Sequence, residues 1–551
     1  MNVKPALIAA LLATVATPAF AQGPVFDAEA VRAHVTFLAD DLLEGRDTGS
    51  RGYDIAANYV ASQFIAMGLK PAAADGTFFQ KLTVREARLD GAPKLTLSFG
   101  GKDAVLSDSA QVLVRPSLAE KAVTLDAPMV FAGFGFDRPD LGFDDYKGLD
   151  VKGKIVVVLT GFPKGMPSEL GAHLNSDKAI MAMKRGAIAV IAVPTKEDTA
   201  RRPWDKRVAI SDGPAKGWVG ADGTAFSRAP GIKAYITLNP DVAAPLFAAA
   251  KKPLAKILTE ADRKGGRPKG FALPGKASLS LASTWKDVTS ANVVAMLPGS
   301  DAKLAGEFVG MTAHLDHIGI HGKGEDTLHN GAMDNASGVA TMLEVAKAIA
   351  TEKPRRSVLF AALTGEEGGL IGSDYLSRNP VAQSDLVAVV NFDMPVLTYM
   401  FSDVVAFGAE NSTMGPVVAD AARKAGIKLS PDPMPEEGLF TRSDHYRFVQ
   451  QGVPAVFMMT GFEGPGEKAF RDFLKTSYHQ PGDDLKLPFN WDAAALFAKV
   501  NYFTVQSLAN ADERPRWYAN SFFGKEFAPN AAKAAVLKSI SIIPNCPPRC
   551  D

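Results

Sequence analysis

A chain of 551 residues exceeds what one ordinary hydrophobic core organises, so at least two domains are expected. Lys plus Arg equals Asp plus Glu at 60 each, and this zero net charge excludes a global field that gathers nucleic acid or an anionic membrane; any partner must be recognised locally. With only two cysteines, Cys546 and Cys550 in the tail "NCPPRC", the chemistry has to be built without thiolates.

The N-terminus "MNVKPALIAALLATVATPAFAQ" places Lys4 before an apolar stretch too short for a comfortable membrane span, and Ala19-Phe20-Ala21 before Gln22. It reads as an export signal over residues 1–21 with an A-x-A cleavage site, giving a periplasmic or secreted protein with no stable membrane insertion after processing. In that oxidising setting Cys546 and Cys550 are expected to form a local disulfide.

Residues 22–120 open a first domain. Two helices are expected on either side of the Gly-rich turn "EGRDTGSRG", with Ala56, Val60, Phe64 and Met67 at helical spacing, and residues 78–116 alternate like strands. The texture then changes over 121–275. Short apolar strands at 129–136, 153–159 and 187–193 surround a helix at 176–186, while 194–235 is rich in Gly, Pro and charge and reads as loop. This block is expected to be an inserted module.

From 276 to 510, strands near 291–297, 307–313, 357–363, 387–393 and 454–459 alternate with helical pattern, most clearly 336–350, where Val339, Met342, Ala346 and Ile349 share one face. The fold class is therefore α/β, a central sheet flanked by helices. Residues 511–551 form a C-terminal tail.

Candidate ligands fall just past three of these strands: His314 after "EFVGMTA", Glu366 and Glu367 after "SVLFAALTG", and Asp393 after "VAVVNF". Open α/β sheets place their ligand sites at such carboxyl ends. Asp334 stands before a helix and His479 lies on a loop. Singly, each has an ordinary structural role as a cap, a solvated pair or a loop residue. Together, two histidines and three carboxylates suit two zinc ions that share one carboxylate, with a position left for water or substrate.

In order, these residues resemble the di-zinc aminopeptidases and glutamate carboxypeptidases: His314-x-Asp316, Asp334-Asn335, Glu366-Glu367-x-Gly, Asp393, then Tyr478-His479. "LEGRDTGSRG" and "GLKP" look like that family's N-terminal segment, and "YKGLDVKGKIVVVL" with "KAIMAMKRGAIAVIAV" like an inserted protease-associated domain. The resemblance implies a mixed sheet of the zinc exopeptidase fold. His314 and Asp393 would hold one zinc, Glu367 and His479 the other, and Asp334 would bridge them. Asp316 would orient His314, Glu366 would act as general base, and Tyr478 would donate to the developing oxyanion.

The resemblance also implies a cis peptide between Asp334 and Asn335, and acidic groups, here Glu436 and Glu437, that read a substrate's free amine. His317, His321 and His329 are read as loop residues outside the set. "RSDHYRF", with Arg442, Asp444 and His445, either lines the pocket or forms a structural loop. The function expected is an exopeptidase acting on peptides, of aminopeptidase polarity. A carboxypeptidase on the same core and a non-catalytic receptor-like protein are the alternatives; substrate preference and oligomeric state stay open.

Overall fold

A computed structural model describes residues 23–381 and 385–535. The expected export signal and the Cys546/Cys550 pair lie outside the described residues.

The chain opens with α1 (Ala28–Leu38), whose Asp27 caps the helix by accepting from the Glu29 amide, and α2 (Arg51–Ala66), capped by Ser50. Both bury one apolar stripe; Val31, Val35, Val60 and Phe64 are completely enclosed. Strand β1 (Phe79–Leu89) follows. In the first sheet it lies between β2 (Ala215–Val219) and β3 (Phe271–Leu297), antiparallel to both.

The centre of that sheet is parallel: β4 (Glu307–His314) lies between β5 (Ser357–Leu363) and β6 (Asp385–Phe392). Beyond β6 come the antiparallel β7 (Asp403–Phe407) and, between them, β8 (Ala455–Thr460), which is parallel to β6. Every residue of β5 and β8 is buried, as expected for strands covered on both faces, and this is why they read as continuous apolar runs rather than alternations. Helices α3 (Ser337–Ala350) and α4 (Trp491–Asn510) pack with α1 against this sheet. The α/β class with a mixed sheet flanked by helices is thus observed.

A second core, from Leu95 to Leu281, surrounds another sheet. Its strands run Lys102–Leu106, Lys94–Phe99, β3, Ala122–Phe131, Ile155–Leu159, Ala189–Val193, Ala234–Leu238 and Val112–Val114. The strands at 94–114 therefore pack with this core, upstream of residue 121. Strand β3 belongs to both sheets: residues 271–282 pair with Ala122–Phe131, and residues 283–293 pair with β1.

Two local expectations are corrected. The helix expected at 176–186 is observed in shortened form as Lys178–Lys184, and a further helix, Ser168–Ser176, precedes it. The stretch 194–235 is not one loop: it contains helices Lys196–Arg201 and Trp204–Ser211 and strand β2, which the absence of a clean period concealed. The tail is also partly structured, since Trp517 and Phe523 insert into the first core.

Candidate metal centre

All five expected ligands meet at the carboxyl end of the parallel strands. His314 is the last residue of β4, Asp393 follows β6, and Asp334 immediately precedes α3. The carboxylate of Asp334 faces two ways. Its Oδ1 lies 3.2 Å from His314 Nε2, which is itself 3.1 Å from Asp393 Oδ1. Its Oδ2 lies 3.3 Å from His479 Nε2, which is 3.1 Å from Glu367 Oε2. The peptide joining Asp334 to Asn335 is cis, as the resemblance implies.

Each flank is held from behind. On the strand side, Ser443 donates to Asp393 Oδ2 at 2.6 Å and accepts from Asn391 Nδ2, whose amide oxygen accepts from Thr312. Asp334 is fixed by Asp483, which accepts from the amides of Met333 and Asp334 at 2.8 and 3.0 Å. Asn335 donates to the Phe392 carbonyl and so ties the same corner to β6.

Arg46 is the buried hub of the loop side. It has a left-handed φ of 54° and donates to the carbonyls of Leu38, Leu315, Asn330 and Gly331. Burial lowers its pKa to about 10, while Asp483, Asp316 and Asp334 favour its charge. Neither Arg46 nor Asp483 was singled out from sequence. The signal available was "EGR" within the Gly-rich turn and the first aspartate of "HQPGDD".

Asp316 meets His314 through its main chain, and its carboxylate has a second partner. The His314 Nδ1 atom lies 3.1 Å from the Asp316 main-chain oxygen, whereas the Asp316 carboxylate is 3.9 Å away. That carboxylate instead accepts from the Glu366 amide at 3.1 Å and from Thr48 at 3.2 Å. It therefore anchors the turn "TGEEGG", where Gly365 has φ 72° and Gly369 φ 114°, values open to glycine.

The adjacent glutamates differ electrostatically. Burial, assisted by Asp393, Glu367 and Asp444, pushes the Glu366 carboxyl well above its ordinary range. Burial also pushes Glu367 upward, but the facing His479 and His317 rings overcome this and hold it down at about 2. Glu366 thus has the higher proton affinity of the two and its neighbour stays ionised, a division characteristic of acid–base sites.

Tyr478 stacks on His479, with ring centroids 3.8 Å apart, and burial beside Asp334 and Glu367 keeps its hydroxyl protonated. The residues of "RSDHYRF" divide. Asp444 is buried, and burial raises its pKa to about 7; His445 packs between Phe440 and Phe457; Arg442 is exposed and pairs with Glu437 at 3.3 Å. Glu437 is thereby engaged, and Glu436 is exposed on the same short turn, Pro435–Glu437. His321 and His329 sit beside each other at a small hairpin; His321 lies in its loop, whereas His329, expected as a loop residue, is a buried strand residue paired with Gly319.

His317 departs from expectation. It lies in a loop, yet it is fully buried, its Nδ1 is 2.7 Å from Glu367 Oε1, and it forms a close group with Asp334 and Glu367. Sequence reasoning set it aside because five ligands already sufficed. Both of its ring nitrogens and Glu367 Oε1 are buried without a hydrogen-bond partner. Such orphaned donors are costly unless something satisfies them. Nitrogen and carboxylate donors in two close groups, His314/Asp334/Asp393 and His317/Asp334/Glu367, fit divalent metal ions of the zinc type.

Residues 292–505 match the model of the family described as "Peptidase family M28". This segment is similar to M28 peptidases. Over 254 residues the chain is 28% identical to a probable leucine aminopeptidase 2 of Aspergillus fumigatus, covering 43% of this chain and 47% of that protein. A 65-residue stretch is 45% identical to a probable zinc metalloprotease of Pyrenophora tritici-repentis, covering 12% of this chain and 15% of that one. The chain spans about half the length of the curated relatives it matches. In fold, it resembles the aminopeptidase from Aneurinibacillus sp. strain AM-1, with a TM-score of 0.51, 20% identity, and coverage of 89% of this chain and 95% of that one. The matched segment contains every member of the metal cluster.

Proposed function

We propose that the protein is an exported, zinc-dependent exopeptidase that removes N-terminal residues from peptides. The observation that carries this is the two-faced Asp334 carboxylate between a His–Asp and a His–Glu pair, with Glu366 alongside. His314 and Asp393 would hold one zinc, Glu367 and His479 the other, with Asp334 shared. When bound, zinc supplies Lewis acidity that polarises a carbonyl and makes water a nucleophile near neutral pH.

The chain's own residues supply the rest. Glu366, its carboxyl raised by burial, accepts the proton of the attacking water and returns it to the leaving amine. Asp316 holds the Glu366 amide and so fixes where that carboxyl stands. Tyr478, still protonated, donates to the oxygen on which charge develops. The second core is read as a protease-associated domain that walls the cleft and admits only chain ends. Support for this is that strand β2 emerges from it, with Lys216 2.7 Å from Asp47 and its side chain packed against the Gly368 turn.

The polarity is tested by incubating the mature protein with a short free-ended peptide, its N-acetylated form and its C-terminal amide, and reading the products by mass spectrometry. Loss of N-terminal residues from the free and amidated peptides only is expected. Cleavage of the acetylated peptide with the amide resistant would make it a carboxypeptidase.

A further inference from the structure

We infer that His317 is a direct ligand of the second metal, so that this ion has four protein donors (Asp334, Glu367, His479 and His317) while the first has three. The inference deepens the two-zinc reading above and rests on it.

The ring is fully buried, yet neither of its nitrogens finds a hydrogen bond, and the nearest Glu367 oxygen is equally unsatisfied. Leaving these buried groups without water or any partner is costly unless something else satisfies them. One proton between His317 Nδ1 and Glu367 Oε1 would address only part of that deficit, since their approach of 2.7 Å lacks hydrogen-bond alignment. An ion between them addresses it directly. Donors on one tetrahedral ion, each at about 2.0–2.1 Å, lie roughly 3.3 Å apart. The pairs His479–Glu367 at 3.1 Å, His479–Asp334 at 3.3 Å and His317–Glu367 at 2.7 Å lie near that spacing. Glu367 presents one oxygen to each imidazole.

The surrounding backbone holds the ring in place. The His317 amide donates to the Arg46 carbonyl at 3.3 Å. Gly331, at φ 62°, lies so close that a Cβ there would stand 2.5 Å from the His317 ring, which leaves the imidazole little freedom to turn away. Its neighbour across the pocket is His479, with ring centroids 5.8 Å apart and nearly perpendicular.

Unequal donor counts divide the work. A four-donor site holds its ion firmly, whereas a three-donor site keeps a position open for substrate. Chelation should then remove the ions one at a time, with the His314/Asp393 side emptying first.

The test is zinc K-edge X-ray absorption on fully loaded wild-type protein and on His317→Ala, with metal content followed during titration by a chelator. Three imidazoles over the two ions are expected in wild type and two in the variant, whose retained ion should be lost at a chelator concentration at least 10-fold lower. Two imidazoles in wild type, unchanged in the variant, would overturn the inference and leave His317 an outer neighbour of Glu367. Because the wild-type count decides without the variant, a misfolded His317→Ala protein does not obscure the answer. Wild-type protein that binds a single ion when zinc is in excess contradicts the two-zinc reading instead, and the histidine count of that ion still decides whether His317 is bound.

Discussion

The two flanks of Asp334 are built differently. His314 and Asp393 stand on the ends of adjacent parallel strands, backed by a hydrogen-bonded relay from Thr312 through Asn391 and Ser443. Glu367, His479 and His317 stand on loops. His479 has a left-handed φ of 56°, and the loops depend on Arg46 and Asp483 for their shape. A sheet places ligands through many shared backbone bonds, whereas loops need a few buried side chains that act as pins. Each flank should therefore fail in its own way.

The largest effect should come from the turn that joins the flanks. Glu366→Gln keeps shape and metal but removes the proton acceptor, so turnover should fall by roughly 10²- to 10⁴-fold with zinc content unchanged. Glu367→Gln should instead release zinc from the loop flank and recover part of its activity when metal is added. Metal analysis alongside kinetics separates the two, and the reverse pattern would exchange their roles.

A substitution at the loop flank's hub comes next. Arg46→Met keeps the volume but strands the carbonyls of Leu38, Leu315, Asn330 and Gly331, at an expected cost of roughly 3–5 kcal/mol in unfolding free energy. Denaturant unfolding of metal-free protein measures this directly. Unchanged stability would mean that the loops hold themselves.

On the strand flank the matching lesion should be mild. Ser443→Ala removes one hydrogen bond to Asp393 while the strand still places the ligand, so a loss of about 1–2 kcal/mol and a zinc affinity lowered by about 10-fold are expected. If Ser443→Ala destabilises the protein as much as Arg46→Met does, the contrast between the flanks is wrong.

The contrast also explains what could be read in the sequence. Ligands on strand ends follow recognisable apolar runs, so His314, Asp393 and the Glu366-Glu367 turn were legible, as were helix α3 and the parallel strands that carry them. What loops bring together from afar was less so. Arg46 acts on residues more than 250 positions away, and no local period announces it. His317 lies close in sequence to the His314–Asp316 pair, but only its position against Glu367 and Asp334, with both ring nitrogens unpaired, distinguishes it from His321 and His329. Strand β2 was missed because its pairing partner, β1, comes from a different part of the chain. Asp316 was legible as a neighbour of His314, but not that its main-chain oxygen meets the imidazole while its carboxylate holds the Glu366 amide.

Strand β3 bears on how the molecule tolerates being cut. Because residues 271–282 and 283–293 serve different sheets without a break, the two cores share one continuous backbone ladder rather than a tether. A chain truncated at residue 275 ends inside that strand and strips the antiparallel neighbour from β1. Deleting 121–275 in frame leaves the strands at 94–114 without the sheet that buries them. Digestion at surface loops should accordingly nick the protein and leave its fragments associated, with separation requiring denaturant.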